Sequence, residues 1–157
     1  MHEIIINSPN VQKTEKLGKI LSKILKKNDL IALQGELGSG KTTLARSIIW
    51  SSMDTKKGSI PIPSPTFNLV QLYNCKKIII GHADLYRINN SEEIEALNLE
   101  EIIDNGALIV EWAEKLNPIK ESNILRIQFI NTNNGLDINI LDVSGWSDRI
   151  IAISKYF

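Results

Sequence analysis

The 157-residue sequence has one cysteine, Cys75, and two histidines, so no internal disulfide can form and a cysteine-cluster zinc site has no ligands. Charge of one sign is missing as well: 18 Lys+Arg stand against 18 Asp+Glu. That leaves no surplus cation to hold a phosphate backbone and argues against a dedicated nucleic-acid binder, DNA included. No segment reaches the roughly 18 consecutive apolar residues of a membrane span. The first residues, Met1 to Asn7, carry an acid where a signal peptide carries bases. These absences predict an unprocessed, soluble, cytoplasmic protein with no membrane partner. The 43% of hydrophobic residues that are present suffice for one compact domain over residues 1–157.

Val11 to Lys27 spaces Leu17, Ile20, Leu21, Ile24 and Leu25 at helical intervals with lysines on the other faces, the pattern of an amphipathic helix with a solvated basic side. Leu30 to Gln34 is a short apolar run, as expected of a strand buried on both faces. Thr43 to Ser52 reads as a helix, and Pro61-Ile62-Pro63-Ser64-Pro65 as a loop. Asn68 to Tyr73 and Lys77 to Ala83 read as a hairpin. Ser91 to Asp104 reads as one acidic helix, Ala107 to Val110 as an apolar strand, Ile124 to Ile130 and Leu136 to Val143 as a second hairpin, and Ser147 onward as a helix. Helices interleaved with apolar strands predict a three-layer α/β domain with a mostly parallel sheet and added hairpins.

Gly35-Glu36-Leu37-Gly38-Ser39-Gly40-Lys41-Thr42 matches G-x-x-x-x-G-K-[ST] and lies between an apolar strand and a helix, the context a phosphate loop requires. The chemistry explains the spacing. A phosphate chain needs several backbone N–H groups pointing inward, glycines let the main chain curl that closely, and the helix start adds its positive end. Lys41 is the point charge for the β- and γ-phosphates, and the Thr42 hydroxyl is a ligand for Mg²⁺. The expected domain is therefore P-loop NTPase-like, with Gly35 to Thr42 and the following Thr43 on the nucleotide.

Such a site also needs carboxylates to hold magnesium and orient a nucleophile, normally at the carboxyl ends of neighbouring strands. Asp84 and Glu111 both follow apolar strands, and both are expected at solvent-facing strand termini, turned toward the metal. Spacing does not say which of them ligates directly. Ser64-Pro65-Thr66-Phe67 lies between the phosphate loop and the Asp84 strand, where nucleotide-sensing loops belong, and its hydroxyls could sense the γ-phosphate or the metal. Trp112, directly after Glu111, suits either core packing or the nucleotide pocket. His82 reads as a structural histidine rather than a catalytic base.

Together, Gly35 to Leu44, Ser64-Pro65-Thr66-Phe67-Asn68-Leu69-Val70, His82-Ala83-Asp84-Leu85-Tyr86-Arg87 and Val110-Glu111-Trp112 resemble, in order, the bacterial TsaE (YjeE) family. The departures are mild: Glu36 stands where the family usually has Asp, Ser39 where it has Ala, and Ala83 where an aromatic is common. The resemblance implies an ATPase of the machinery that places a threonylcarbamoyl group on the adenosine beside the anticodon of tRNAs reading A-starting codons. It further implies TsaB and TsaD as protein partners, with TsaC making the activated adenylate and tRNA met only indirectly. Carried onto these positions, Lys41 holds the phosphates, Thr42 and Glu111 resemble magnesium ligands, Asp84 helps position metal or water, Thr66 resembles the γ-phosphate sensor, and Trp112 lies by the nucleotide.

Two other functions suit a phosphate loop. A small kinase needs an arginine-rich lid, and only Arg46, Arg87, Arg126 and Arg149 exist. A guanine-nucleotide switch needs an N-K-x-D type reader, and no such run occurs, which predicts ATP over GTP.

Overall fold

The computed structural model describes every residue except 1, 8, 9, 118, 120 and 121. In chain order the elements are β1 (Glu3–Ile6), α1 (Val11–Ile24), β2 (Asp29–Gln34), α2 (Lys41–Ser52), β3 (Val70–Asn74), β4 (Ile79–Asp84), α3 (Ser91–Glu95), α4 (Leu99–Asn105), β5 (Gly106–Glu111), β6 (Asn123–Thr132), β7 (Gly135–Ser144) and α5 (Ser147–Ser154). The strands form one seven-stranded sheet in the order β1-β7-β6-β2-β5-β4-β3. Its centre, β6-β2-β5-β4, is parallel throughout. The antiparallel pairs are β3 on β4 at one edge, with β7 on β6 and β1 on β7 at the other. A parallel centre extended by hairpins is the architecture the sequence pattern predicts.

Alternate residues of each central strand feed two cores, because successive side chains point to opposite faces. Ile31, Leu33, Ile109, Leu125 and Ile127 pack with Leu17 and Leu21 of α1, Leu44 and Ile48 of α2, and Ile150 and Ile153 of α5. On the other face, Leu30, Ala32, Leu108 and Val110 pack with Ile94, Leu99 and Ile103. Each fully buried Leu or Ile contributes roughly 2 kcal/mol of apolar burial, so the two layers of helices clamp the central strands and fix where those strands end.

The structure departs from the sequence pattern at three places. The first helix ends at Ile24 instead of Lys27, because the Asp29 carboxylate accepts the Lys26 N–H at 2.6 Å and Asn28 turns the chain at φ 68°. The acidic segment is two helices rather than one. Ile94 and Leu99 are five residues apart and would face different sides of a single helix; a left-handed Asn98 (φ 51°) breaks it so that both are buried in one core. Finally, Glu3–Ile6 is an edge strand held on β7, an element the pattern did not announce, since four residues at an edge bury little beyond Ile6.

Candidate functional site

The phosphate-loop motif forms the turn between β2 and α2, and the loop's shape is moulded from behind. Gly35 and Gly40 take φ of 145° and 110°, and a Cβ on Gly35 would stand 2.9 Å from Phe129 of β6, one on Gly40 3.3 Å from its ring. Glycine is needed there both for the left-handed backbone and for the close approach. No acidic residue of α2 itself occupies its first turn, and the helix's positive end faces the cleft.

The loop opens onto a cleft of 290 Å³ lined by residues 37–43, Ser64, Thr66, Asp84, Tyr86, Glu111 and Trp112. The site residues expected from the sequence thus converge, with two qualifications. Gly35 and Glu36 do not line the cleft; their carbonyls accept the Lys41 ammonium at 2.7 Å each, and the Glu36 carboxylate accepts Asn131 Nδ2 at 2.7 Å. Ser64 and Tyr86 line it as well, and only the loop position of Ser64 had suggested as much.

Lys41 is 4% exposed. Besides the two carbonyls it reaches Ser39 Oγ at 3.3 Å, and its ammonium lies 4.2 Å from the centroid of the Trp112 ring. Burial lowers its pKa, while the charges of Glu111, Glu114 and Asp84 pull the other way. Trp112 serves both roles the sequence allowed: half-buried, it packs on the second core and lines the cleft. It does so at φ 59°, a left-handed conformation that costs an L-residue about 1–2 kcal/mol, with the Tyr86 ring centred 5.0 Å away and tilted 43° to it.

The carboxylates are not at solvent-facing termini. Asp84 and Glu111 are 3% and 2% exposed, because they sit side by side in the parallel β4–β5 register beneath α2 and the 64–66 loop. Glu111 Oε2 accepts the Thr42 hydroxyl and Oε1 lies against His82 Nε2, both at 2.8 Å. Asp84 Oδ2 accepts Thr66 Oγ1 at 2.8 Å and Ser64 Oγ at 3.2 Å, and its Oδ1 accepts the Tyr86 N–H at 2.9 Å. Among the described residues no lysine or arginine is paired with either acid.

Burying carboxylates without a bonded cation is costly, and the donor set of Thr42, Glu111 and Asp84 is all oxygen, which suits a hard divalent cation. The described residues contain no cluster of three or more His, Cys, Asp or Glu able to hold a metal alone. Among the described residues, no helix is long and apolar enough to cross a membrane.

Comparison with known proteins adds the following. The family model described as threonylcarbamoyl adenosine biosynthesis protein TsaE matches residues 8–138. The tRNA threonylcarbamoyladenosine biosynthesis protein TsaE of Rickettsia felis is 41% identical over 111 residues, 71% of this chain and 62% of that one. The protein of the same name from Aquifex aeolicus is 34% identical over 133 residues, 85% of this chain and 91% of that one. The chain thus spans less than two thirds of the Rickettsia felis relative and more than nine tenths of the Aquifex one. The crystal structure of Bacillus subtilis YdiB shares the fold, with a TM-score of 0.71 over 98% of this chain and 93% of that one at 22% identity.

Proposed function

This chain belongs to the TsaE family, and we propose that it is a cytoplasmic, magnesium-dependent ATPase. In this proposal it supports a TsaB–TsaD complex in threonylcarbamoylating the adenosine beside the anticodon of tRNAs reading A-starting codons, and meets tRNA only through that complex. The observation that carries the ATPase reading is the convergence on one cleft of a phosphate loop, Thr42 bonded to Glu111, and Asp84 bonded to Thr66.

The loop N–H groups and the start of α2 bind the phosphates, and Lys41 exchanges its carbonyl partners for phosphoryl oxygens. Thr42 and Glu111 would hold magnesium, with Asp84 adjoining, and the chemistry supplied there would be neutralisation of charge developing on the transferred phosphoryl group. Thr42 donates a hydrogen bond to Glu111, keeping its own proton, so its oxygen lone pairs are turned toward the cation site. Thr66 reads the γ-phosphate by trading its bond to Asp84 for a phosphoryl oxygen, which frees the Asp84 carboxylate to orient water. Trp112 flanks the nucleotide.

The test is magnesium-ATP turnover by the purified chain with and without the TsaB–TsaD complex. Stimulation supports the reading. Unchanged turnover removes the partner assignment, and higher efficiency with GTP than ATP removes the assignment of base.

A further inference from the structure

His82 is fully buried, 0% exposed, on the face of β4 shared with Ile80 and Asp84, and is paired with Ile109 of β5. A leucine or isoleucine would fill such a position without the cost of desolvating an imidazole. What the imidazole gains there is one hydrogen bond. Its Nε2 stands 2.8 Å from Glu111 Oε1, and its Nδ1 is buried with no hydrogen-bond partner. The contact is diagonal across the sheet: β4 pairs Asp84 with Glu111 and His82 with Ile109, so His82 and Glu111 point to the same face one step apart.

Glu111 is thereby gripped at both oxygens, Oε1 by His82 from the core side and Oε2 by Thr42 from the cleft side. A carboxylate with one anchored oxygen can still rotate about its last bond; with two anchors on different elements it has one orientation. We propose that His82 is a positioning residue. It donates from Nε2 to hold Glu111 in the single orientation in which Oε2 meets the Thr42 hydroxyl, and so presets the site for the divalent cation without touching nucleotide or metal itself. The inference rests on the magnesium-nucleotide reading above. Outer partners of this kind typically change metal affinity by about 10–100-fold when removed.

The experiment uses the full chain, N-methylanthraniloyl-ADP as fluorescent probe, and a titration of Mg²⁺. Three variants separate hydrogen bonding from volume. In His82→Gln the amide nitrogen lies as far along the side chain as Nε2; in His82→Asn it lies only as far as Nδ1; His82→Leu has no polar atom. The expected result is that Asn and Leu raise the Mg²⁺ concentration at the binding midpoint about tenfold or more. His82→Gln should stay within about threefold of wild type, and all should bind the probe in EDTA as wild type does. Should His82→Leu melt below the assay temperature, the Gln and Asn pair decides.

Unchanged midpoints in Asn and Leu, against a wild type that depends on Mg²⁺, overturn the inference alone. Equal shifts in Gln and Asn, or parallel loss of binding in EDTA, also overturn it and make His82 a packing residue. A wild type whose probe binding ignores Mg²⁺ overturns the magnesium reading and this inference with it.

Discussion

The two ends of the parallel sheet each bury acid, and they treat it in opposite ways. At the amino end, Asp29 opens β2 and is 0% exposed. Its two oxygens accept Arg149 Nη1 at 2.6 Å and Nη2 at 2.8 Å, the Lys26 N–H at 2.6 Å and Asn123 Nδ2 at 3.2 Å. The guanidinium is in turn stacked 3.7 Å over Trp146. At the carboxyl end, Glu111 and Asp84 are almost as deeply buried, yet their bonds come from hydroxyls, one backbone N–H and His82. Lys41, the nearby cation, is bonded to its own loop. Burial alone therefore does not mark a functional carboxylate. What separates the Asp29 site from the Asp84–Glu111 site is whether a lysine or arginine of the chain is bonded to the acid; Asp142, buried at the amino end on the Trp146 N–H and the Ser147 hydroxyl, shows that the rule holds between these two sites and not for every buried acid.

Substitutions can break that contrast in a graded way. The largest effect is expected from Lys41→Ala, which removes the cation from a site whose stabilisation is electrostatic: steady-state phosphate release should fall at least about a hundredfold, and near-normal turnover would refute the phosphate-loop assignment. Glu111→Gln and Asp84→Asn should each also collapse turnover, with a double variant that loses far less than the product of the two, as groups acting as a unit do. Because each removes a buried charge lacking a bonded cation, their thermal midpoints should stay level or rise by a few degrees; a sharp fall in midpoint would make that acid structural.

Arg149→Met should behave in reverse. It strands a buried Asp29, which costs about 3–5 kcal/mol, read by urea denaturation, while turnover per folded molecule is unaffected at an end of the sheet remote from the cleft. Loss of activity without loss of stability would erase the distinction between the ends. The smallest effect concerns Cys75, also at the amino end, whose thiol burial pushes up from its ordinary value of 9.0 to about 11. At pH 8 it should hold on the order of a hundredfold less thiolate than an ordinary cysteine and alkylate correspondingly slowly, with the iodoacetamide rate climbing about tenfold between pH 8 and 9. An unshifted thiol would instead be about a tenth thiolate at pH 8, climb only about fivefold to pH 9 and level off near pH 10; that profile would refute the shift.

The site was legible where chemistry is written into consecutive residues. Gly35 to Thr43 announce themselves, and Asp84 and Glu111 follow from apolar strands that end in acids. Their depth was not legible, because strand ends are usually solvated; what covers these two is α2 and the 64–66 loop, brought in by tertiary packing. The same limit hid Tyr86, which lines the cleft with its ring 5.0 Å from that of Trp112 and tilted 43° to it. The alternation of apolar helices and strands made the layers readable. The break at Asn98 was not, since acidic helical pattern continues across it and the reason lies in how Ile94 and Leu99 share a core. His82 read as structural from its place on an apolar strand, and its partner, 29 residues away, follows only from the register of β4 on β5.

Phe129 has a consequence for the order in which the molecule becomes competent. The glycines at 35 and 40 curl against an aromatic that belongs to β6, about 90 residues further along the chain. A motif that is local in sequence is thus given its shape by a distant one. Until β6 docks beside β2, the loop has only its own bonds, such as Lys41 to the Gly35 and Glu36 carbonyls, to hold its curl, and contacts of such long range are the slow ones to form. On a growing chain the anion-binding turn should emerge early and remain idle, acquiring affinity for nucleotide only after Phe129 has been made and seated; nucleotide capture would then report completion of the sheet rather than the appearance of the motif.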